Sequence, residues 1–517
     1  MDDIGDYIMK KGNKSQTSNP ITNLDYPDPD VIRVGDTYYM VSTTMHFMPG
    51  CEILRSYDLI NWEHMTYVYD RLDSTDEQSL RENKNCYGKG MWAASLRYHK
   101  GKFYICFAAN DTQKTYLYTA ENIEGPWYKQ LVDGFYHDCS LLFDDDDRVY
   151  IVSGNTDIRL QELKSDLSGP KEGGLDRIIV SDKGNPQLGY EGSHFYKING
   201  KYYLFLIHSL RDRWMRTEAC YVSDSLTGKF IGGDVLCDTM EYCNQGVAQG
   251  GIVDTPDEKW YAILFQDRGA VGRIPVIVPV TWNDNTYPVF GENGKIPAVV
   301  EVESTRVGYV YNPLVQSDDF KASDENDRQH FGTFGLKSCW QFNHEPDLSL
   351  LEINTDKGFY KIKCGKLCEN VTQANNTITQ RMTFPQCCAQ VTVNGINLKD
   401  GDIAGLCILQ EDYAFAAVTK KGDKFYAVMS VKNTSNEEVE AIELEEPFVE
   451  LKAEADFMNQ KDEVHFMYRN GNNWNPIGSV YKLRFALEHF TGNRVGLFAY
   501  AQKETGGEAE FSHFQIN

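Results

Sequence analysis

The sequence predicts an all-β protein, a five-bladed β-propeller followed by a β-sandwich, and three observations predict it. One phrase recurs five times, tyrosine and phenylalanine are abundant, and no long helical periodicity interrupts the chain. The phrases begin Asp28-Pro-Asp-Val-Ile-Arg, Trp92-Ala-Ala-Ser-Leu-Arg, Asp138-Cys-Ser-Leu-Leu-Phe, Glu191-Gly-Ser-His-Phe-Tyr and Gln249-Gly-Gly-Ile-Val-Asp. Each passes through an apolar stretch to a turn, three times marked by glycine (Gly35, Gly101, Gly200), and then to a tyrosine-bearing strand. From lead residue to tyrosine is twelve positions in four phrases and eleven in the first. A hairpin repeated about every 45–65 residues is how a radial propeller reads in sequence. The innermost strands of such blades converge on one axis, so the five lead residues are expected at one mouth.

The elements follow in chain order. Residues 1–19, acidic and then rich in Lys and Ser, read as a mobile leader without the apolar core of a secretion signal. Residues 20–312 hold the propeller, with strands such as Tyr38–Val41 and Tyr202–Leu206 between Gly, Asn and Asp turns. The repeat then breaks near Asp318-Asp319-Phe320. Over 313–517, alternations such as Phe359–Ile362, Ala389–Val393 and Val495–Tyr500 predict a two-sheet sandwich.

Composition narrows the class. At 517 residues the chain exceeds a single core, so two domains are expected. A net charge of −24 with no basic block argues against nucleic acid or an anionic membrane as partner and favours a neutral ligand, unless the charge serves solubility alone. No apolar run approaches the ~20 residues needed to span a bilayer. Thirteen scattered cysteines, an odd number, suit buried thiols in a reducing compartment, and a cytoplasmic location is expected. Cys364-x3-Cys368 and Cys387-Cys388 lack the second ligand pair of a zinc site, so no metal is expected there.

Three lead residues are acids: Asp28, Asp138 and Glu191. Cleaving a glycosidic bond with inversion needs a protonated acid at the leaving oxygen and an ionised base to activate water. A third carboxylate nearby tunes the acid, because like charges disfavour ionisation. An isolated Asp after proline reads as a turn residue. Three acids in one repeat slot point to a site.

These residues also carry a family resemblance. Tyr26-Pro-Asp28-Pro-Asp30, Met48-Pro-Gly50, Ser56–Trp62, Gly90-Met-Trp92-Ala-Ala-Ser-Leu, His137-Asp138-Cys-Ser-Leu, Tyr190-Glu191-Gly-Ser-His and Gly272-Arg273 fall in the order of glycoside hydrolase family 43. Trp340–Pro346, Asn376–Arg381, Lys399–Leu406 and Phe490–Leu497 resemble the concanavalin-like sandwich of its xylosidase/arabinofuranosidase branch. The resemblance implies Asp28 as general base, Glu191 as general acid and Asp138 as the residue that tunes and orients Glu191. It also implies that Arg273 binds a sugar hydroxyl or the base itself and that Trp92 forms an apolar wall of the pocket, with a packed core Trp as the alternative reading of Trp92; Gln249 and Phe47 are further expected substrate contacts. Asp30 is expected to be structural, Asp144–Asp147 a solvated turn, and His46, His137 and His194 to stand outside the catalytic step.

The implied activity is an exo-acting, inverting α-L-arabinofuranosidase, with β-D-xylosidase activity on the same pocket, acting on hemicellulose-derived oligosaccharides. A mainly β-D-xylosidase, a non-catalytic carbohydrate-binding propeller, and a retaining fructosidase or a phosphorylase are the alternatives. A fructosidase would be expected to show Arg-Asp-Pro where His137-Asp138-Cys139 stands. Two departures from the family pattern bear on this. Gln249 replaces a histidine often found beside Ca²⁺, so no cofactor is expected, at most a structural Ca²⁺. Ser153-Gly-Asn-Thr156 lacks a wall aromatic, which leans toward arabinose side chains. A sandwich loop, Arg469–Trp474 or Gln502–Glu508, is expected to close the mouth, unless the sandwich serves only as a binding module.

Overall fold

The structure is a computed structural model that describes residues 14–321, 334–432, 436–469, 471 and 473–517. Five four-stranded antiparallel sheets form the first part, each a contiguous stretch of chain with its strands in sequence order. Their first strands are Asp30–Val34, Met91–His99, Ser140–Phe143, Glu191–Ile198 and Val247–Asp254. These neighbour one another in a closed ring, the fifth returning to the first. The ring is a five-bladed propeller. Tyrosine-bearing second strands such as Thr37–Val41 and Lys201–Ser209 pack between blades, where large flat side chains fill the wedge.

The expected leader is in part a strand. Lys14–Ser18 pairs with Val299–Glu303, and Asn19 bonds the backbone of Ile277 and Pro297, so the start of the described chain is tied to the segment after the fifth blade. Residues 1–13 lie outside the described residues. The acidic turn after the third blade's first strand is also not wholly solvated. Asp144 is buried and accepts from Lys197 and Tyr202, while Asp145–Asp147 are exposed.

The second part is a sandwich of an eight-stranded and a seven-stranded sheet. One strand of the larger sheet comes from the propeller: Phe47–Met48 pairs with Gln341–Asn343. The sandwich core also takes in Tyr67, Ala270, Val271 and Ile274 of the propeller. At the seam, Arg381 pairs with buried Glu52 at 2.7 Å and donates to Asp25 O. Three buried histidines meet there, His46 lying 4.5 Å from His344 and 5.6 Å from His489 by ring centroid. Phe47 belongs to this seam and not to the pocket. It is 3% exposed, covered by His46 and by the Arg494 guanidinium 3.5 Å above its ring, because the strand that carries it completes the sandwich sheet.

All thirteen cysteines are free thiols. Among the described residues no helix is long and apolar enough to cross a membrane.

Candidate active site

All five lead residues line one cavity of about 250 Å³, together with His137, Asn155, Leu188, Trp214, Arg216, Arg273, Leu487 and Phe490. The backbone explains why they converge. Asp28, Asp138 and Gln249 have positive φ (52°, 46° and 57°), a conformation L-residues seldom adopt unless the surroundings enforce it. The strands led by Met91, Glu191 and Val247 carry bulges at or beside the lead residue. A bulge kinks the strand and re-aims a side chain, here into the mouth.

Asp28 is buried and fixed at both oxygens: Arg273 Nη1 donates to Oδ1 at 2.7 Å and Thr43 Oγ1 to Oδ2 at 2.6 Å. Arg273 is positioned in turn by Asp267, which also accepts from Arg216 Nε at 2.7 Å. Burial works against ionisation of Asp267, but the charges of Arg216 and Arg273 prevail and hold its carboxyl below the usual range. The Arg273 guanidinium lies between the rings of Phe265 and Phe490, at 4.4 and 4.0 Å. Glycine is required just before it, since a Cβ on Gly272 would meet Asp25 Oδ1 at 2.2 Å.

Among the described residues, no guanidinium is bonded to Glu191 or Asp138. Asn155 Nδ2 donates to Glu191 Oε2 at 2.6 Å, and the Gly192 N–H donates to Asp138 Oδ2 at 3.0 Å. Between the two carboxylates stands His137, its Nε2 3.6 Å from Glu191 Oε2 and 3.7 Å from Asp138 Oδ2. Burial, with repulsion from Glu191 and Asp28, pushes Asp138 up to about 6 against the attraction of His137. Burial also opposes ionisation of Glu191, but His137, Arg216 and Arg273 outweigh it and lower its pKa. For His137 the desolvation is overcome by Asp138 and Glu191, which raise it to about 9. Of the three, His137 therefore holds a proton most tightly and Glu191 least tightly, with Asp138 between them.

Trp92 is half-buried on the cavity wall, its indole edge-on to His137 and Phe490, and is not a core residue. Gln249 lies at the floor, where its N–H donates to the buried Glu218. A Cβ on Gly192 would strike the Gln249 side chain at 2.6 Å, so glycine there makes room for the amide. Asp30 is a structural hub: it accepts from the Leu96 N–H and Arg97 and contacts His194 at 3.1 Å. His46 lies in the seam, while His137 belongs to the pocket itself.

Among the described residues, neither expected loop reaches the cavity wall. Arg469 and Trp474 hold to Glu450 and Lys452 on the sandwich face, Asn470 and Asn472 lying outside the described residues, and Lys503 pairs with Asp400. The segment between Trp474–Lys482 and Arg494–Tyr500 does so instead, placing Leu487 and Phe490 in the cavity wall. It is fastened by Asp25, whose Oδ1 accepts from the Arg273 N–H and whose Oδ2 accepts from the Gly492 N–H, at 2.7 and 2.8 Å. Gln410 secures it from the sandwich side through His489 O and Thr491 O. The aromatic missing from Ser153–Thr156 also has a counterpart from another loop, because Trp214 lines the pocket. No sequence period marks Trp214, Arg216, Asp267 or Phe490. Only the physical need of a buried acid for a cation pointed toward the arginines.

His137, Asp138 and Glu191 each bring one ligand atom within 4.8 Å of the others, a His/carboxylate cluster that the sequence did not disclose. No such group forms around the Cys364, Cys368, Cys387 or Cys388 thiols among the described residues.

Comparisons with known proteins agree with this architecture. A family model described as glycosyl hydrolases family 43 matches residues 17–288, and one for the beta-xylosidase C-terminal concanavalin A-like domain matches 328–517. The chain is 26% identical to a beta-xylosidase of Formosa agariphila, over 96% of this chain and 89% of that protein. It is 24% identical to a non-reducing end alpha-L-arabinofuranosidase of Bacteroides ovatus, over 76% and 74% of the two. A solved structure of a bifunctional GH43-CE protein of Bacteroides eggerthii superposes with a TM-score of 0.89 at 42% identity, covering 98% of this chain and 64% of that one. The chain belongs to glycosyl hydrolases family 43 and is a glycosidase.

Proposed function

We propose that the protein is an exo-acting, inverting glycosidase that removes a terminal L-arabinofuranose, and D-xylose from the same pocket, from arabinoxylan- or xylan-derived oligosaccharides. The observation that carries this reading is the meeting of Asp28, Asp138 and Glu191 in one cavity that a sandwich segment closes on one side. At about 250 Å³ the cavity falls below the roughly 300–1,000 Å³ of sites for drug-sized ligands, which suits one sugar ring. Related proteins are named for both activities, beta-xylosidase and alpha-L-arabinofuranosidase.

In this reading Asp28, oriented by Arg273 and Thr43, takes the proton of the water that attacks the anomeric carbon. Glu191 protonates the leaving oxygen. Its proton comes from within the trio, Asp138 and His137 acting as the reservoir beside it. Trp92 and Phe490 present apolar faces to the ring, and Asn155 holds Glu191 in place. The pocket works without a metal cofactor.

The test is nuclear magnetic resonance of the first-formed product together with rates on the 4-nitrophenyl glycosides of α-L-arabinofuranose and β-D-xylopyranose, then on arabinoxylan. An inverted anomer, with the arabinoside cleaved faster, supports the proposal. Retention of configuration, or inertness on both glycosides, sinks it. A preference for the xyloside moves the assignment to β-D-xylosidase.

A further inference from the structure

The trio of His137, Asp138 and Glu191 has a second chemical capacity, which builds on the reading of this cavity as the sugar site. His137 Nε2 is buried without a hydrogen-bond partner, its two carboxylate neighbours lying just beyond bonding reach at 3.6 and 3.7 Å. We propose that His137, Asp138 and Glu191 form an inhibitory site for a divalent transition-metal ion of the Zn²⁺ class, which occupies the pocket in place of the sugar.

Four features of the pocket support it. Zn²⁺ bonds of about 2.0–2.1 Å set tetrahedral ligand atoms roughly 3.3–3.4 Å apart, so the two histidine–carboxylate separations need only a few tenths of an ångström of contraction, and all three ligand atoms lie within 4.8 Å of one another. An imidazole among the donors selects Zn²⁺ and its neighbours over Ca²⁺ or Mg²⁺, which prefer all-oxygen sets. The cavity's four carboxylates (Asp28, Asp138, Glu191 and the adjoining Asp267) face two guanidiniums, Arg216 and Arg273. Ligation requires a neutral imidazole, so with the four carboxylates ionised and the His137 proton released two negative charges remain, which one dication cancels. Finally, each candidate ligand oxygen already accepts one hydrogen bond that holds it in place, Glu191 Oε2 from Asn155 and Asp138 Oδ2 from the Gly192 N–H. The surrounding cavity leaves room for water to complete the coordination.

Such an ion would replace the proton held in the trio and sit where the leaving oxygen must approach Glu191. It would therefore compete with substrate and would not serve the reaction.

The experiment titrates Zn²⁺ alone into the full-length, chelator-treated protein by calorimetry and follows hydrolysis of an aryl pentoside in parallel. The expected result is one competing Zn²⁺ per chain. The apparent KM doubles when free Zn²⁺ equals its Kd, kcat is unchanged, and added free pentose weakens Zn²⁺ binding. His137→Asn, checked for folding by its melting curve, is expected to lose at least 10-fold in Zn²⁺ affinity. If that variant does not fold, the visible absorption of Co²⁺ bound to the intact protein reports imidazole and carboxylate ligation, and sugar must displace it. Zn²⁺ uptake that ignores both sugar and His137, as the exposed thiols of Cys237 and Cys243 would give, overturns the proposal. So does inhibition that leaves KM unchanged. A protein that hydrolyses pentosides yet shows no competing metal refutes this site alone. A protein that is inert on pentosides but binds Zn²⁺ through His137 keeps the site and refutes the hydrolase reading.

Discussion

Replacing His344 by glutamine should change how the stability of this protein depends on pH, by an amount the structure sets. His344 is fully buried at the domain seam, its Nε2 accepting from the Cys86 N–H at 3.1 Å and its ring 4.6 Å from that of Tyr87. Burial, helped by the charges of His489 and Lys366, holds its pKa down from 6.5 to about 3. In the unfolded chain the same imidazole protonates near 6.5, so below that pH the unfolded state binds the extra proton. The stability this residue contributes is complete above pH 6.5 and is lost as pH falls toward 3. Between pH 7 and pH 5 the loss is about 2 kcal/mol. Asp25, Asp402 and Asp462, raised to about 6, run the opposite way over the same range, so the wild-type curve alone does not isolate the histidine. The difference between wild type and His344→Gln does, because the carboxylates are common to both. Urea denaturation followed by tryptophan fluorescence at the two pH values should find the variant less stable at pH 7 and the gap narrowed by about 2 kcal/mol at pH 5. A gap constant with pH would mean that the imidazole titrates alike in both states. A gap that widens on acidification would mean that His344 is charged in the fold, and the account of a neutral seam would be wrong.

Four further outcomes are expected. Glu191→Gln should lose roughly 10²–10⁴-fold on substrates with poor leaving groups and far less on activated aryl glycosides, which need little protonation; equal losses on both would count against Glu191 as the acid. Asp25→Ala leaves the Arg273 and Gly492 N–H groups without their acceptor, at about 1–3 kcal/mol each, so melting and kcat/KM should fall together; a variant with normal melting and normal kinetics would show that Asp25 does not couple cap to pocket. Truncation after Pro313 strips Phe47–Met48 of its partner strand and bares Tyr67, Val271 and Ile274, so the isolated propeller should aggregate or lose activity; a folded fragment with full rate on a small aryl glycoside would remove the sandwich from the site. Dialysis against a chelator should leave the rate unchanged or raised, and loss of activity restored by Ca²⁺ would show a metal requirement.

The propeller and three of the pocket's carboxylates were legible because they recur. Asp28, Asp138 and Glu191 occupy one slot of a repeat, and a period survives in sequence whatever the chain does between its units. The sandwich was legible as alternation, which a half-buried strand imposes. Phe47 misled because its neighbours Met48-Pro-Gly50 belong to the motif, yet its strand pairs across the seam with Gln341–Asn343. The cap is not legible in the sequence, because Arg469–Trp474 and Gln502–Glu508 carry the polar, turn-rich composition of a loop whether or not it reaches the pocket. The segment that closes the pocket, with Leu487 and Phe490, has no period of its own, and the likeness of Phe490–Leu497 to the family's sandwich says nothing of its reach to the propeller.

The sequence by itself determined the fold class, the order of the two domains and the acids at the mouth, since each follows from local period and residue type. Only the tertiary structure decided which charges surround those acids. Arg216, Asp267 and Arg273 come from other strands, His137 is turned between Asp138 and Glu191, and Phe490 arrives from about 300 residues downstream of Glu191. The field at a carboxylate depends on distance through space, and contacts between residues far apart in the chain carry no periodic signal along it.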